Sequence, residues 1–181
     1  NDVEAGRTSI VLDLRGNPGG FVDAARKVAS QFIKSGPIFW QEDAKGTQTP
    51  TQALADGVAT DPSIKVVVLI DKGSASASEI VAGALQDTGR AKLVGSTSYG
   101  KGTVQQWTDL GSGGGGLKLT IAKWLTPDKR WIHHTGLTPD VAVSVPDITP
   151  AGTDPVLDAA VRLLSDGTAS LGATGVRRRA A

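Results

Sequence analysis

The chain has 181 residues, 20% of them charged, with 19 basic and 18 acidic side chains and a formal net charge of +1. This length predicts one domain with its own core, and the near-neutral charge gives no argument for a nucleic acid or an anionic membrane as a partner. Cysteine is absent, which excludes disulfides, thiol nucleophiles and cysteine-ligated metals, and no apolar run approaches the roughly 18 residues of a membrane-spanning helix.

The first predicted elements alternate between apolar runs and helical periodicity. Residues 9–14 form a short apolar run that predicts a buried strand, and the turn-forming residues 15–20 end it. A helix is predicted over residues 22–33, where small and apolar side chains recur at helical spacing, and a strand over residues 37–40. Residues 52–58 carry a weak helical pattern.

The middle of the chain contains the clearest strand, residues 66–70, which are all apolar. A helix is predicted to follow and to end near Asp87, with Gly89 placed to terminate it. Residues 92–95 predict another short strand. Strands that alternate with helices in this way indicate a mixed α/β domain with helices packed on a sheet.

The last third is predicted to be richer in β-structure. Residues 117–125 alternate between apolar and polar side chains and predict one arm of a hairpin, with residues 130–132 as the other arm. Asp154 is a candidate N-cap of a final helix, because a proline follows it at the first helical position. Residues 167–181 are predicted to be a flexible basic tail.

Three short motifs carry residues suited to catalysis. Ser76 lies in the serine-rich turn after the strand at 66–70, at a predicted helix N-terminus that favours negative charge, as an acyl-transfer intermediate requires. Lys101 lies between two glycines and is a candidate base, and residues 15–20 offer glycine N–H groups. If the strands at 9–14 and 66–70 are neighbours, the turns that follow them lie at one edge of the sheet, where open α/β sheets place their sites.

Each motif also has a plain structural reading. Ser76 and Glu79 fit a capping box, a glycine-flanked lysine is usually a surface loop, and residues 15–20 fit an ordinary strand-to-helix turn.

Catalysis by a serine and a lysine makes a specific physical demand. A serine hydroxyl is a poor nucleophile until a base removes its proton, and a free lysine is neutral in only about one molecule in 2,500 at pH 7. The base must therefore be desolvated, and Val104 and Tyr99 are expected to help exclude water. The adjacent His133 and His134 are expected to point to opposite faces of a hairpin arm and to have a surface or packing role rather than a catalytic one.

In these motifs and their order, the chain resembles the carboxyl-terminal processing peptidases, also called tail-specific proteases. These are serine proteases with a Ser-Lys pair on a crotonase-like α/β fold, a mixed sheet with packed helices. The resemblance extends from near residue 8 to about residue 166. The matching segments are residues 12–20, 73–80, 99–105, 117–120 and 136–141.

The resemblance implies a role for each matching residue. The nucleophile falls on Ser76 and the general base on Lys101, 25 residues later, and Gln105 matches a glutamine that helps to position the lysine in some members. The resemblance implies an oxyanion hole formed by two backbone N–H groups. One belongs to Ala77, and the other belongs to either Gly19 or Gly20, between which the sequence does not decide.

Other polar residues near these motifs need separate interpretations. Asp87 matches an aspartate that matters in some members, but it lies roughly 16 Å along the helix from Ser76, so we expect it to support the helix end. Arg15 is expected to form a structural ion pair. Ser74 and Ser78 are alternative nucleophiles, although each helical step turns the side chain by about 100°, so at most one serine faces the lysine.

Members of the family usually carry an upstream PDZ domain and further N-terminal strands, neither of which this sequence contains. The resemblance therefore predicts that residues 1–166 form a truncated protease core with a free sheet edge, which favours self-association. It implies protein substrates with exposed apolar C-terminal tails, no metal or organic cofactor, and a location in the periplasm or cell envelope.

Two alternatives stay open at this point. One is an acyl-CoA-processing enzyme on the same general fold, which needs a carboxylate acid or base. The other is a noncatalytic peptide-binding fragment.

Overall fold

A computed structural model of the protein describes residues 6–145 and 152–166, so the predicted tail at 167–181 lies outside the described residues. The described residues form two four-stranded sheets and three helices. The strands are β1 (Ser9–Asp13), β2 (Pro37–Glu42), β3 (Gln48–Gln52), β4 (Lys65–Ile70), β5 (Lys92–Gly95), β6 (Thr103–Asp109), β7 (Gly116–Leu125) and β8 (Val141–Ala142). The helices are α1 (Val22–Ser30), α2 (Ala77–Asp87) and α3 (Pro155–Ser165). None of these described helices has the length and apolar character needed to cross a membrane.

The first sheet is parallel and has the strand order β1-β4-β5-β8. β1 pairs with β4 along its whole length, from Ser9 opposite Lys65 to Asp13 opposite Leu69. Because the two strands are parallel neighbours, the turns that follow them emerge at the same edge of the sheet, as the sequence analysis expected.

The strand β4 is buried on both faces, which explains its unbroken apolar sequence. Val66, Val68 and Ile70 belong to the main core, together with residues of α1 and α2. The side chains between them, Val67 and Leu69, pack on the other face of the sheet in a smaller cluster that includes residues of α3. The first sheet is therefore covered on both sides, and its carboxyl edge holds the two turns in place.

The second sheet is antiparallel, with the order β3-β2-β7-β6, and α2 contacts both sheets. Every residue of α2 from Ala77 to Leu85 is buried, because α1, β5 and β2 surround it. Phe39 of β2 and Trp124 of β7 are almost completely buried in the same core. A helix enclosed in this way has little freedom to shift, so its N-terminus is a firm support for a site.

Two expectations about elements are wrong. Residues 130–132 form no strand, and β7 pairs instead with β6 and β2. The predicted helical pattern at 52–58 forms no helix, because residue 52 ends β3 and the rest is irregular. β6 escaped notice because its last five residues are exposed and lack apolar alternation, so pairing with β7 decides its structure.

Candidate active site

The two turns at the carboxyl edge of the first sheet are bonded to each other. The Ala75 N–H donates to the Asn17 carbonyl at 3.0 Å, and the Gly16 N–H donates to Asp71 Oδ1 at 2.8 Å. Gly19 has φ of +99°, and a Cβ there would lie 2.6 Å from the Ala75 carbonyl oxygen. Only glycine permits this approach, so the close contact between the turns depends on Gly19.

Ser76 lies at the junction of the second turn and α2 in a strained backbone conformation. Its φ of 56° and ψ of −116° are unusual for a residue with a side chain. Such strain persists only where the surrounding structure holds it, and it is frequent at functional sites. A sharp turn between a strand and a helix is also how several hydrolases expose a nucleophilic serine.

Ser76, Lys101 and Gln105 line one cavity of about 160 Å³. β6 starts just after Lys101, and its register with β7 shifts between Val104 and Gln105, which bends the strand near the cavity. The remaining lining residues are apolar, small or basic, and no carboxylate is among them within the described part of the chain. They are Gly20, Val22, Ile80, Thr103, Val104, Lys118 and Trp124.

The other two serines of the motif face elsewhere. Ser74 is fully buried, and its hydroxyl donates to the Leu14 carbonyl at 2.8 Å and accepts from the Asp71 N–H at 3.0 Å. Ser78 is buried and lines a separate pocket. Of the three, Ser76 is the serine that shares the cavity with Lys101.

Residues 96–102, which connect β5 to β6, form the Lys101 loop, and aromatic side chains from later in the chain hold it in place. Trp124 Nε1 donates to the Lys101 carbonyl at 2.7 Å, and Trp131 Nε1 donates to the Gly102 carbonyl at 2.9 Å. Gly100 has φ of +86°, and a Cβ there would lie 2.8 Å from the Gly136 nitrogen. The flanking glycines therefore let the loop pack closely on residues 131–136. No local pattern in the sequence indicated a role for the two tryptophans. Lys118, which also lines the cavity, lies in the matching segment 117–120, but no role was predicted for it.

The structure distinguishes the two glycines that the sequence left open. The Gly19 N–H donates to Asn17 Oδ1 at 3.0 Å, whereas Gly20 makes no hydrogen bond within the described residues and borders the cavity of Ser76. Ala77 is the first residue of α2, so its N–H lacks a partner inside the helix. The N–H groups of Gly20 and Ala77 are thus the candidate oxyanion donors.

A second, mainly apolar pocket of about 140 Å³ adjoins these donors. Gly20 borders both this pocket and the cavity of Ser76, while Ala77 and Ser78 border the pocket alone. The pocket lies between the first turn, α1 and the start of α2. Its apolar lining comprises Leu14, Phe21, Ala24, Ala25, Val28 and Val81.

Two expectations about residues near the site are wrong. The rings of His133 and His134 do not point apart, because they lie in a turn, with centroids 3.9 Å apart and φ of 63° at His134. His133 Nδ1 lies 3.2 Å from the Gly100 carbonyl oxygen, so it packs on the Lys101 loop. Tyr99 is 67% exposed and does not line the cavity, whereas Val104 does.

Arg15 forms an ion-pair cluster rather than facing the cavity. Its guanidinium donates to Asp13 at 2.6 Å and to Asp154, the N-cap of α3, at 2.8 Å. These hydrogen bonds raise the pKa of Arg15 and lower that of Asp13. The Arg15 guanidinium, helped by the Leu157 N–H, lowers the pKa of Asp154 to about 2. The cluster joins β1 to α3.

Asp87 also has structural partners. It is the last residue of α2, its carboxylate pairs with Arg130, and it accepts from the Asp128 N–H at 2.9 Å. These contacts hold the end of α2 against the loop after β7.

The family model for peptidase family S41 matches residues 1–143. The chain is 42% identical over 144 residues to the carboxy-terminal processing protease CtpB of Bacillus subtilis, and 44% identical over 141 residues to a probable CtpA-like serine protease of Staphylococcus epidermidis. These matches cover 79% and 76% of the chain but only 29% and 28% of the relatives, so the chain spans less than a third of their length.

Solved structures of two proteases are similar to the chain in fold. The structure of a photosystem II D1 C-terminal processing protease is 33% identical, with a TM-score of 0.73, over 90% of this chain and 40% of that protein. A putative S41 protease from Bacteroides fragilis is similar in fold, with a TM-score of 0.72 at 18% identity over 92% of this chain and 47% of that protein.

Proposed function

Since the chain belongs to peptidase family S41, we propose that it forms the catalytic core of a serine endopeptidase that cleaves proteins bearing exposed apolar C-terminal tails. The observation that carries the proposal is that Ser76 and Lys101, 25 residues apart in the sequence, line one cavity beside two candidate oxyanion donors. We assign Ser76 as the nucleophile, Lys101 as the base and Gln105 as a residue that orients Lys101.

The proposed reaction has two stages, the acylation of Ser76 and the hydrolysis of the acyl-enzyme. The neutral Lys101 amine takes the proton of the Ser76 hydroxyl as Oγ attacks the peptide carbonyl, and the N–H groups of Gly20 and Ala77 stabilise the resulting oxyanion. Lys101 then gives its proton to the leaving amine as the C–N bond breaks, which leaves an acyl group on Ser76. Water hydrolyses this acyl-enzyme, again with Lys101 as the base.

The apolar pocket suggests which residue precedes the cleaved bond. A carbonyl held by the Gly20 and Ala77 N–H groups brings the adjacent side chain to the pocket, because both residues border it. Its apolar lining favours an apolar substrate side chain there, and one methylene in such a pocket is worth about 1–3 kcal/mol of discrimination.

The composition of the cavity weighs against the acyl-CoA alternative. Such an enzyme needs a carboxylate acid or base in the site, and none of the described residues that line the cavity is acidic. The noncatalytic alternative makes the opposite prediction from ours in the labelling experiment below.

Further parts of the proposal concern the whole protein. We propose a crotonase-like fold whose sheet continues beyond β1 in the full-length protein, because β1 pairs only with β4 among the described strands. We also propose a location in the periplasm or cell envelope, from the resemblance to the processing peptidases, and self-association through the free edge. Cell fractionation and analytical ultracentrifugation of the full-length protein test these points.

The test of the catalytic assignment is labelling with a fluorophosphonate, which modifies activated serines. We expect one label, located on Ser76 by peptide mass spectrometry, and its loss in Lys101→Ala. Lys27→Ala is the matched control, because Lys27 is an exposed lysine of α1, and it should label at the wild-type rate. Hydrolysis of peptides with apolar C-terminal tails, by this chain and by the full-length protein, completes the test.

The outcomes separate the hypotheses. No label on the folded wild-type chain contradicts the proposed activity and favours a noncatalytic fragment. A label on Ser76 that survives in Lys101→Ala contradicts the assignment of the base.

A further inference from the structure

The buried carboxylate of Glu79 connects the two halves of the proposed catalytic pair. Glu79 is in the first turn of α2, three residues after Ser76, and its side chain is 0% exposed. Its Oε2 atom accepts from the Ser76 N–H at 2.8 Å and from the Lys101 N–H at 2.8 Å. A single oxygen atom thus bonds the backbone amides of both residues.

The other carboxylate oxygen extends this connection to the loop before Lys101. Oε1 accepts from the Gly100 N–H at 2.6 Å and from the Ser98 hydroxyl at 2.5 Å. The Ser98 hydroxyl accepts in turn from the Leu137 N–H at 2.7 Å. Four donors therefore converge on one carboxylate, two on each oxygen.

This arrangement exceeds what a helix cap requires. A capping box consists of two bonds, one from the N-cap N–H to the glutamate side chain and one from the glutamate N–H to the N-cap side chain, and Ser76 and Glu79 form such a box. It does not need the three further donors, from Ser98, Gly100 and Lys101. A buried carboxylate is costly, and no lysine, arginine or histidine in the described residues forms an ion pair with Glu79. Its hydrogen bonds come instead from the strained turn of Ser76 and from the loop of Lys101.

We propose that Glu79 is a positioning residue that sets the separation of the Ser76 hydroxyl and the Lys101 amine by binding the backbone of both. The inference rests on the proposed function, since it assigns a role within that reaction. The bond from the Ser76 N–H also holds the positive φ of Ser76 and occupies its amide, which leaves the N–H of Ala77 for the oxyanion.

The critical variant is Glu79→Gln. The amide NH₂ must replace either Oε2, where it meets the Ser76 and Lys101 N–H groups, or Oε1, where it meets the Gly100 N–H. In both orientations a donor faces a donor, so the Lys101 loop must shift. A displacement of about 1 Å costs about 100-fold in rate, which is the fall in labelling rate and kcat that we expect, with KM little changed.

Asp140→Asn is the matched control. Asp140 is also a mostly buried carboxylate that organises the backbone, because it accepts from the Leu93 N–H at 2.8 Å and from Gln86 Nε2 at 3.2 Å and pairs with Lys92. It borders neither the cavity nor the pocket. Its variant should lose stability but label at the wild-type rate per folded molecule, measured with the folded fraction from near-UV circular dichroism.

Hydrogen exchange gives a readout that does not depend on activity. In Glu79→Gln the amides of Gly100 and Lys101 should exchange faster, while the amide of Val68 in the core of β4 should keep its wild-type protection. Ser98→Ala provides a milder perturbation, because it removes one donor and leaves the carboxylate, and we expect about a tenfold loss of labelling rate.

The results decide between the claims. A folded Glu79→Gln that labels at the wild-type rate overturns the positioning role alone. If Glu79→Gln does not fold, Ser98→Ala decides: slower labelling in a folded protein supports the role, and a stability loss alone overturns it. A folded wild-type chain that takes no label overturns the proposed function, and the inference with it, even if Gly100 and Lys101 are protected.

Discussion

Replacing Gly19 by alanine tests whether the contact between the two turns forms the oxyanion hole. The φ of +99° disfavours any side chain, at a cost of about 1–2 kcal/mol. The added Cβ would also lie 2.6 Å from the Ala75 oxygen and 2.8 Å from the Ala77 nitrogen. Both atoms belong to the backbone, so this clash is removed only if the turns that contain Gly19 and Ser76 move apart. That movement displaces the Ala77 N–H.

Gly16→Ala separates this displacement from backbone strain. Gly16 has φ of +62°, but no atom of residues 6–145 or 152–166 lies within 4 Å of a Cβ built there. The variant Gly16→Ala should lose about 1 kcal/mol of stability from backbone strain alone, and its activity should stay within about threefold of the wild type. Gly19→Ala should lose at least about 100-fold in kcat, the usual cost of one oxyanion donor.

The assay combines urea unfolding with peptide hydrolysis and fluorophosphonate labelling at a temperature where all variants are folded. A folded Gly19→Ala that hydrolyses within about tenfold of wild type would refute the reasoning, because the contact would then not position a catalytic donor. Equal losses of activity in the two variants would refute it too, since strain alone would then be sufficient.

Three further predictions concern stability. The pKa of Asp154 is lowered from 3.8 to about 2 in the folded protein. Its ionised carboxylate therefore contributes stability that is complete above pH 4 and is lost as the pH falls toward 2. In urea unfolding from pH 5 to pH 2, the free energy of unfolding should fall less steeply for Asp154→Asn than for the wild type. Leu93→Ala in β5, 0% exposed, should cost about 3 kcal/mol in urea unfolding, whereas Leu119→Ala, 48% exposed, should cost less than about 0.5 kcal/mol. Asp87→Ala should lower the free energy of unfolding by about 2 kcal/mol, because it removes the partner of Arg130. The folded variant should label at the wild-type rate, whereas a catalytic role for Asp87 would lower that rate.

Several features of the site were predictable because they depend on neighbours in the sequence. The apolar run of β4, the helix after it and the cap at Asp154 are local signals, and the structure contains all three. The motifs around Ser76 and Lys101 indicated the family, to which the chain belongs. The roles of these residues and of Gln105 stay predictions that the labelling experiments test.

Other features escaped sequence reasoning because their partners are far apart along the chain. Arg15 bonds a carboxylate 139 residues away, and β7 pairs with β6 rather than with the segment that follows it. The two histidines pack together because the chain turns at His134, which no periodicity reveals.

The sequence by itself determined the family, the two sharp turns and the candidate nucleophile and base, because glycine, proline and serine limit the backbone over a few residues. Only the tertiary structure decided how the turns meet, which of the two glycines borders the cavity of Ser76, and that one buried carboxylate binds the backbone of both Ser76 and Lys101. Those features arise where α2 packs between the two sheets, and the position of an enclosed helix depends on all of its neighbours at once.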